Sequence, residues 1–581
     1  IGSKIELLHS GLLDEGSSIS LDNLINSSYY VFIKKYGALA TPTFRGTSSS
    51  HTLVLWNGIP INSIANGLSD FSSIYCNNFS DIFIVHGGDA SLFGSGAIGG
   101  SLHLDSKPQS VERNELLISR TKGSYGLESK SVNLSVDFGK LKAIGGIHKL
   151  EHANNFKYIN TTEYSSPLST NEYGSINFNS HYLDVFFNLN TKTKYNFSYL
   201  SSYLDREVAQ NMMIPFSDAM QYDKTNRSLL TLRHNNNNKS IYVKQAYIIE
   251  TFNYTEASKN IDSYYLAESY ISDIDFKMRK GKYLFNVGSS FIDNKILNNN
   301  YLSSSNKETN IAVFSAIQYR SKNVNINTIL RKQWQTNFHV PLIPSIGFES
   351  KLNNIVKFRA KYNRNFRSPT FNDRFWIGAG ANGNPYLIPE DAWNKEFGFD
   401  FNIEHLNFSV TAYNLNISDM ILWQQIENGS WMPNNISQVF SRGLEITTKL
   451  KFMRYRFIGN YAYTKSTNQV ATTFLDISVG EQLTYVPKHK ANARLFMEQK
   501  KFRFCLSSSY TGEVVTSYGS QKNNTLEGFF LNDFSIKYIF DSLDLSFKGK
   551  VKNLMNTSYV TYQNYPNPGR EYLLTIEYII N

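Results

Sequence analysis

Long stretches of this chain alternate apolar and polar side chains with a period of two, the mark of strands whose two faces meet different media. In 309–320, Ile311, Val313, Ile317 and Tyr319 share a face opposite Asn310, Gln318 and Arg320. In 194–203, Tyr195, Phe197 and Tyr199 oppose Asn196 and Ser198; in 443–450, Leu444, Ile446 and Leu450 oppose Glu445, Thr447 and Lys449. The last segment sets Tyr572, Leu574, Ile576, Tyr578 and Ile580 against Thr575 and Glu577. Short turns such as Phe138-Gly139-Lys140, Ser321-Lys322-Asn323 and Lys500-Lys501 alternate with long connections near 153–172, 206–222, 295–308, 366–390, 466–486 and 556–570. Short turns at one rim and long loops at the other belong to a closed transmembrane sheet, and about 22 antiparallel strands fit between Glu112 and Asn581.

The first 110 residues have another texture. Short apolar runs at 52–56, 81–85 and 101–104 are separated by Arg45-Gly46, Asn57-Gly58, Gly87-Gly88 and the glycine-rich run 94–100. A helix is predicted after an N-cap at Ser20, carrying Leu21, Leu24 and Ile25. This reads as a small α/β unit over 1–110, followed by the sheet over 111–581. A barrel of about 22 strands is too wide for side chains to fill, so the leading unit is expected inside it as a plug.

Composition supports the membrane reading. The chain has 40 Phe, 37 Tyr and 6 Trp, enough for interfacial girdles, and its charged fraction of 18% is too low, with so many aromatics, for disorder. No run approaches the roughly 18 apolar residues of a membrane helix, and a mean hydropathy of −0.34 also suits a soluble stack of β-sandwiches. Loop asymmetry and the plug-like unit favour the barrel. The net charge of +10 is spread along the chain without a dense basic block, so nucleic acid is not an expected partner. Cys76 and Cys505 are too few and too far apart for a disulfide scaffold. The scattered histidines and the absence of clustered Asp in 153–172 predict no metal and no cofactor. No nucleophile elbow, zincin motif or phosphate loop appears, so no catalytic residues are expected. The chain opens at Ile1 without a basic or apolar leader, and any export signal is expected to have been removed or never present.

Three groups of residues carry a resemblance. Thr43-Phe44-Arg45-Gly46, the run 52–62 containing Leu55-Trp56-Asn57-Gly58, and the run 90–100 resemble the plug blocks of TonB-dependent outer-membrane receptors, the Leu-Trp-Asn-Gly wording resembling the Bacteroidota branch. Asn365-Phe366-Arg367-Ser368-Pro369-Thr370, the run 383–390 and Glu396-Phe397-Gly398 resemble the long seventh extracellular loop and the strand after it. Asn553-Leu554-Met555-Asn556, Tyr559 and the run 566–570 resemble the last loop before the closing strand. The resemblance implies a plugged, multi-pass barrel in the cell outer membrane that imports a scarce nutrient with energy relayed by TonB. Barrel size resembles the cobalamin receptor, so cobalamin is the first expected cargo, then ferric siderophore or haem. Expected partners are outer-membrane lipid and lipopolysaccharide, TonB if a coupling segment exists upstream, the nutrient, and a surface lipoprotein or larger complex.

The chain also departs from the family pattern: Phe83 and His86 stand where many members carry Glu and Arg, leaving Arg45 without those neighbours. With the short TonB-contacting segment not found from Ile1 onward, this motivates an alternative, a plugged barrel serving as a structural subunit of a larger outer-membrane assembly. Arg45 and His86 are expected at the plug–barrel interface. The resemblance places turns after Gly37 and Asn62 at the plug apex, so the expected ligand floor is Leu39, Thr41, Pro42, Ser63, Ile64, Ala65, Asn66, Gly67 and Leu68. Phe375, Trp376 and Tyr386 of the long loop are expected as aromatic walls above it, with Trp423, Trp431, Met212, Met213 and Phe216 as further loop candidates.

Overall fold

The computed structural model describes residues 2–8, 19–36, 39–106, 114–209, 211–214, 216–378, 380–426, 429–471, 476–519 and 525–580. The leading unit contains β1 (Ile5–Leu8), α1 (Leu21–Ser28), β2 (Phe32–Tyr36), β3 (Leu39–Thr43), β4 (Thr52–Trp56), β5 (Ile59–Pro60), β6 (Asp81–His86), α2 (Ala90–Phe93) and β7 (Gly100–Asp105). Five of its strands form one sheet in the order β1-β6-β7-β4-β5, with β4 and β7 parallel and the other pairs antiparallel. The three apolar runs of the sequence are β4, β6 and β7, the buried middle of this sheet. Asn57 (φ 49°) and Gly58 (φ 81°) make the tight turn between β4 and β5, a pairing that tolerates two left-handed residues in succession. The predicted helix is α1, and it buries Leu21, Leu24 and Ile25.

The rest of the chain is a closed barrel of 22 antiparallel strands. It runs from Glu115–Gly123 to Glu571–Ile580, and these two strands pair antiparallel, from Leu573 with Gly123 to Ile580 with Leu116, so the sheet has no free edge. Among the described residues no helix is long and apolar enough to cross a membrane. Alternation sorts the two faces: along Glu390–Ile403, Ala392, Asn394 and Glu396 are buried in the lumen while Phe397 and Phe399 are exposed outside. The plug packs Leu24, Ile25, Ile82 and Leu102 in one apolar cluster with Tyr182, Leu200, Leu229 and Ile271 of the wall. Cys76 and Cys505 are both buried in that cluster, and no disulfide joins them.

Several strands outrun the 9–11 residues that span a bilayer, up to 22 in Trp431–Phe452. Pairing continues above the membrane because backbone hydrogen bonds need no lipid, and the outer ends are polar, which hid them from the period-two pattern. The expected loop 295–308 is therefore mostly strand, with 299–304 joining Tyr283–Asn298 to Ser305–Arg320. The connection 153–172 contains its own small hairpin, Lys157–Ile159 with Leu168–Thr170.

Gly87 and Gly88 bring the plug backbone against the wall. Gly88 has φ 74°, and a Cβ there would lie 2.4 Å from the Ala97 carbonyl oxygen and 2.5 Å from Asn365 Nδ2. Asn363 and Asn394 donate side-chain hydrogen bonds to the Gly87 carbonyl at 3.2 and 3.1 Å.

Candidate ligand site and plug latch

The turn after β3 sets Arg45 in the left-handed region (φ 50°) and aims its guanidinium at the wall. Nε and Nη2 donate to the two carboxylate oxygens of Glu445 at 2.8 and 2.9 Å, and Nη1 donates to Glu396 at 2.8 Å. The Tyr413 ring lies 4.3 Å from the guanidinium carbon. All three charged groups are buried, a geometry tolerable only because the charges are paired and hydrogen-bonded. Glu396 is shared with Arg359 at 3.1 Å and accepts from the Lys4 backbone N–H at 3.1 Å.

His86 lies beside this cluster, Nδ1 at 3.6 Å from Glu445 and Nε2 at 3.7 Å from Glu6. The partner that Phe83 fails to supply comes instead from β1: Glu6 pairs with Lys4 at 2.7 Å and accepts from Thr447 at 2.9 Å. Phe83 stacks on His103 at 4.4 Å. Burial disfavours the charged imidazole of His86, but the Glu445 and Glu6 carboxylates outweigh it and hold its pKa above the ordinary value. Burial likewise opposes ionisation of Glu6, and Lys4 with His86 overcome it, holding Glu6 below the usual carboxylate range. Phe83 and His86 do leave Arg45 without the expected pair on β6, and its carboxylates come from the wall instead. The substitute carboxylate, Glu6, lies 77 residues before Phe83 on another strand of the five-stranded sheet, where sequence proximity gives no signal.

A second latch joins plug, wall and loop. His51 Nδ1 accepts from the Ser48 N–H at 3.2 Å, leaving Nε2 to contact Glu390 of the wall. Glu390 also receives Arg367 at 2.7 Å, and Arg367 reaches Asp373 at 3.2 Å. Asp373 belongs to α3 (Phe371–Phe375), a short helix in the long loop. Thr370 and Asp373 cap it reciprocally at 3.1 and 3.0 Å. Trp423 donates its indole N–H to Asp373 at 3.1 Å.

This helix roofs the plug. The Asn372 N–H donates to the Ala65 carbonyl at 2.8 Å, and Ala65 is fully buried with Phe371, Tyr265 and Tyr301, against which Phe375 and Trp376 pack. Below the roof is a cavity of about 180 Å³ lined by Ser63, Ile64, Gly67, Glu250, Arg227 and Asn294, among others. Arg227 Nε and Asn294 Oδ1 are buried there without a hydrogen-bond partner.

The expected floor is not one surface. Ser63, Ile64 and Gly67 line the roofed cavity, with Ala65 under α3, Asn66 exposed and Leu68 half-buried. Leu39 lines a different cavity of about 270 Å³, beside α1 and the lumen-facing Lys548, Lys550 and Lys552. Thr41 and Pro42 are buried and line neither, because pairing with Lys34 and Ile33 of β2 holds them inside the plug body. Gly37 lies outside the described residues. Phe375 and Trp376 form the roof rather than open walls, while Tyr386 remains 89% exposed. Met212 is buried, Met213 and Phe216 are exposed in their loop, and Trp431 is exposed at the start of the strand Trp431–Phe452. Lys4, Glu6, His51, Glu390 and α3 escaped the sequence reading. For Thr370-x-x-Asp373 alone there was a local signal, the capping pattern.

The family model for the TonB-dependent receptor-like β-barrel matches residues 111–554, and that for the TonB-dependent receptor plug domain matches residues 12–101. The vitamin B12 transporter BtuB of Photobacterium profundum is 23% identical over 94% of this chain and 86% of its own length. That of Vibrio vulnificus is 22% identical over 93% of this chain and 86% of its own. Among solved structures, the siderophore receptor PirA from Acinetobacter baumannii superposes with a TM-score of 0.82 at 14% identity, covering 99% of this chain and 98% of its own. The FrpB iron transporter from Neisseria meningitidis gives 0.82 at 13% identity, covering 100% of this chain and 99% of its own. Plugged lumen, closed 22-stranded wall and both family models agree: the chain belongs to the TonB-dependent receptors of the outer membrane.

Proposed function

We propose that this receptor imports a cobalamin-type corrinoid, captured by the extracellular loops and delivered to the plug apex at 63–68 when α3 lifts. The observation that carries the reading is the hydrogen bond from Asn372 to Ala65, which ties the roof of the cavity directly to the plug. A ligand that displaces the roof alters the plug, and a difference in affinity between closed and open states is what a receptor needs to signal inward. The cargo assignment leans on the full-length similarity to vitamin B12 transporters. The siderophore and iron receptors share the fold, so ferric siderophore and haem are the competing cargoes.

In this reading Ser63, Ile64, Asn66, Gly67 and Leu68 touch the cargo, Phe375 and Trp376 swing away with the roof, and Tyr386 makes the first outer contact. We set the plug at 1–110 and the barrel at 111–581. The Leu55-Trp56-Asn57-Gly58 wording supports a Bacteroidota source, and a surface lipoprotein enters as a partner of loops that remain exposed. The roles are transport and reception, with no chemistry performed on the cargo. Titrating purified full-length receptor with cyanocobalamin, a ferric catecholate and haem tests this. Saturable binding of cyanocobalamin alone supports the cargo; tighter binding of either competitor replaces it.

A further inference from the structure

Two cavities stack end to end between plug and wall. The upper is the roofed one of about 180 Å³; the lower, of about 620 Å³, separates the β4–β5 turn at Asn57 and Gly58 from the wall. Along the strand Ile261–Lys280, Ala267, Ser269 and Ile271 border the upper cavity, and Ile271, Asp273, Asp275 and Lys277 border the lower, which thus descends toward the short turn at 281–282. The two meet where Ile271 pairs with Ile292 of the next strand. Among the described residues, five border both: Pro60 and Phe93 of the plug with Ile271, Ile292 and Arg331 of the wall. This neck is apolar except for one guanidinium.

Arg331 is 3% exposed. Its Nη1 donates to the Leu92 carbonyl of α2 at 3.0 Å and its Nη2 to Gln333 Oε1 at 3.2 Å, both neutral acceptors, and its Nε has no partner. Arg227, half-buried on the upper cavity, also has a buried Nε without a partner. Among the described residues neither guanidinium enters an ion pair. Other buried arginines of the lumen are neutralised, Arg206 by Asp70 at 2.8 Å and Arg359 by Glu396 at 3.1 Å. The other charges lining the cavities are matched as well. Arg374 holds Glu308 at 2.6 Å and Arg367 holds Glu390 at 2.7 Å, while in the lower cavity Asp105, Asp273 and Asp275 equal Arg233, Lys244 and Lys277 in number. One lining carboxylate, Glu250, is left against Arg227 and Arg331, and it accepts the Tyr265 hydroxyl. The neck therefore carries a positive charge in excess, and a buried cation without a counter-charge is costly until an anion joins it.

We infer that Arg331, with Arg227, binds an oxyanion at this neck, a phosphate or carboxylate group carried by cargo that passes between α2 and the wall. A planar guanidinium offers such a group paired donors, and apolar walls strengthen the attraction by keeping water away. That cargo brings the group rests on the entry at 63–68 proposed above; the site itself binds small anions that are not cargo, so either can fail without the other.

The test is calorimetric titration of the purified full-length receptor with phenyl phosphate, benzoate and the neutral control phenol. The wild type should bind at least one of the two anions and leave phenol unbound. Tighter phenyl phosphate assigns a phosphate-bearing cargo, and tighter benzoate a carboxylate-bearing one. R227Q/R331Q should bind the preferred anion roughly 100-fold more weakly, about tenfold for each guanidinium removed, and R227K/R331K should keep part of the affinity. F93W, which narrows the neck and leaves both arginines in place, should also weaken binding, whereas R120Q, at an exposed position of the wall, should not. Heat-modifiable migration checks that every variant is folded. No anion bound by the wild type, phenol bound as tightly as the anions, or undiminished binding by R227Q/R331Q overturns the site.

Discussion

Glu6 on the first strand of the plug stands 3.7 Å from His86 Nε2 on the strand beside it, and together they replace a charge pair that the sequence of β6 lacks. The segment leading into the plug therefore reaches the same buried cluster that binds the plug to the wall. Displacing β1 would break the contacts of Glu6 with Thr447 and His86.

Arg45→Ala should loosen the plug by about 3–5 kcal/mol, because it leaves Glu445 and Glu396 buried and short of their shared cation. Arg45→Lys should recover part of this, since one ammonium keeps the charge and loses the paired contacts to Glu445. Thermal unfolding of the receptor in detergent measures both; an unchanged transition in Arg45→Ala would refute the latch.

His86 gives the plug a pH dependence whose sign is fixed. Its folded-state pKa is raised, so its contribution is complete below about 6.5, the ordinary histidine value, and fades as pH climbs through the raised value. The stability gap between wild type and His86→Phe should thus be widest near pH 6 and shrink under alkaline conditions. Glu6 acts oppositely: its pKa is lowered, so its contribution is present above the ordinary carboxylate range and is lost in strong acid. Denaturant titrations across pH resolve the two.

Cys76 is 2% exposed in the cluster between plug and wall, and burial holds its thiol above the ordinary range, so it should resist maleimide in the resting receptor. Reaction should accelerate in Arg45→Ala. A Cys505→Ser background isolates the signal, and rapid labelling of the resting protein would contradict the packing described.

Gly88→Ala should fail to seat the plug: a left-handed φ of 74° disfavours any side chain, and the new methyl meets the Ala97 carbonyl and Asn365. A loss of more than about 1 kcal/mol is expected, whereas Gly139→Ala, with nothing within 4 Å, should cost only its φ strain. Thermal scans of the two variants side by side decide it.

Thr370→Ala removes one half of the α3 cap, worth about 1 kcal/mol. If the roof must lift before cargo reaches 63–68, destabilising the closed state should raise apparent affinity by up to about fivefold. Calorimetry with cyanocobalamin, the proposed cargo, reads it, and weaker binding would place the roof among the direct contacts instead.

Period-two alternation, loop asymmetry and the glycine-rich leading unit pointed together to a plugged barrel of about 22 strands, and the wall has 22, because the faces of a membrane strand meet media that differ along the whole strand. β4, β6, β7 and α1 were legible for the same reason: each has one continuous apolar face. The latch was not legible. Lys4, Glu6, Arg45, His86, Glu396 and Glu445 span most of the chain: the plug sheet brings Lys4, Glu6 and His86 together, and closure of the barrel around the plug adds Glu396 and Glu445 to Arg45. The ligand floor divided for a related reason: Leu39, Thr41 and Pro42 read like apex residues, yet pairing with β2 buries Thr41 and Pro42, while α3 folds inward over Ala65. Local patterns record which medium each side chain prefers; which distant charges meet is decided when the wall closes and water leaves the space between them.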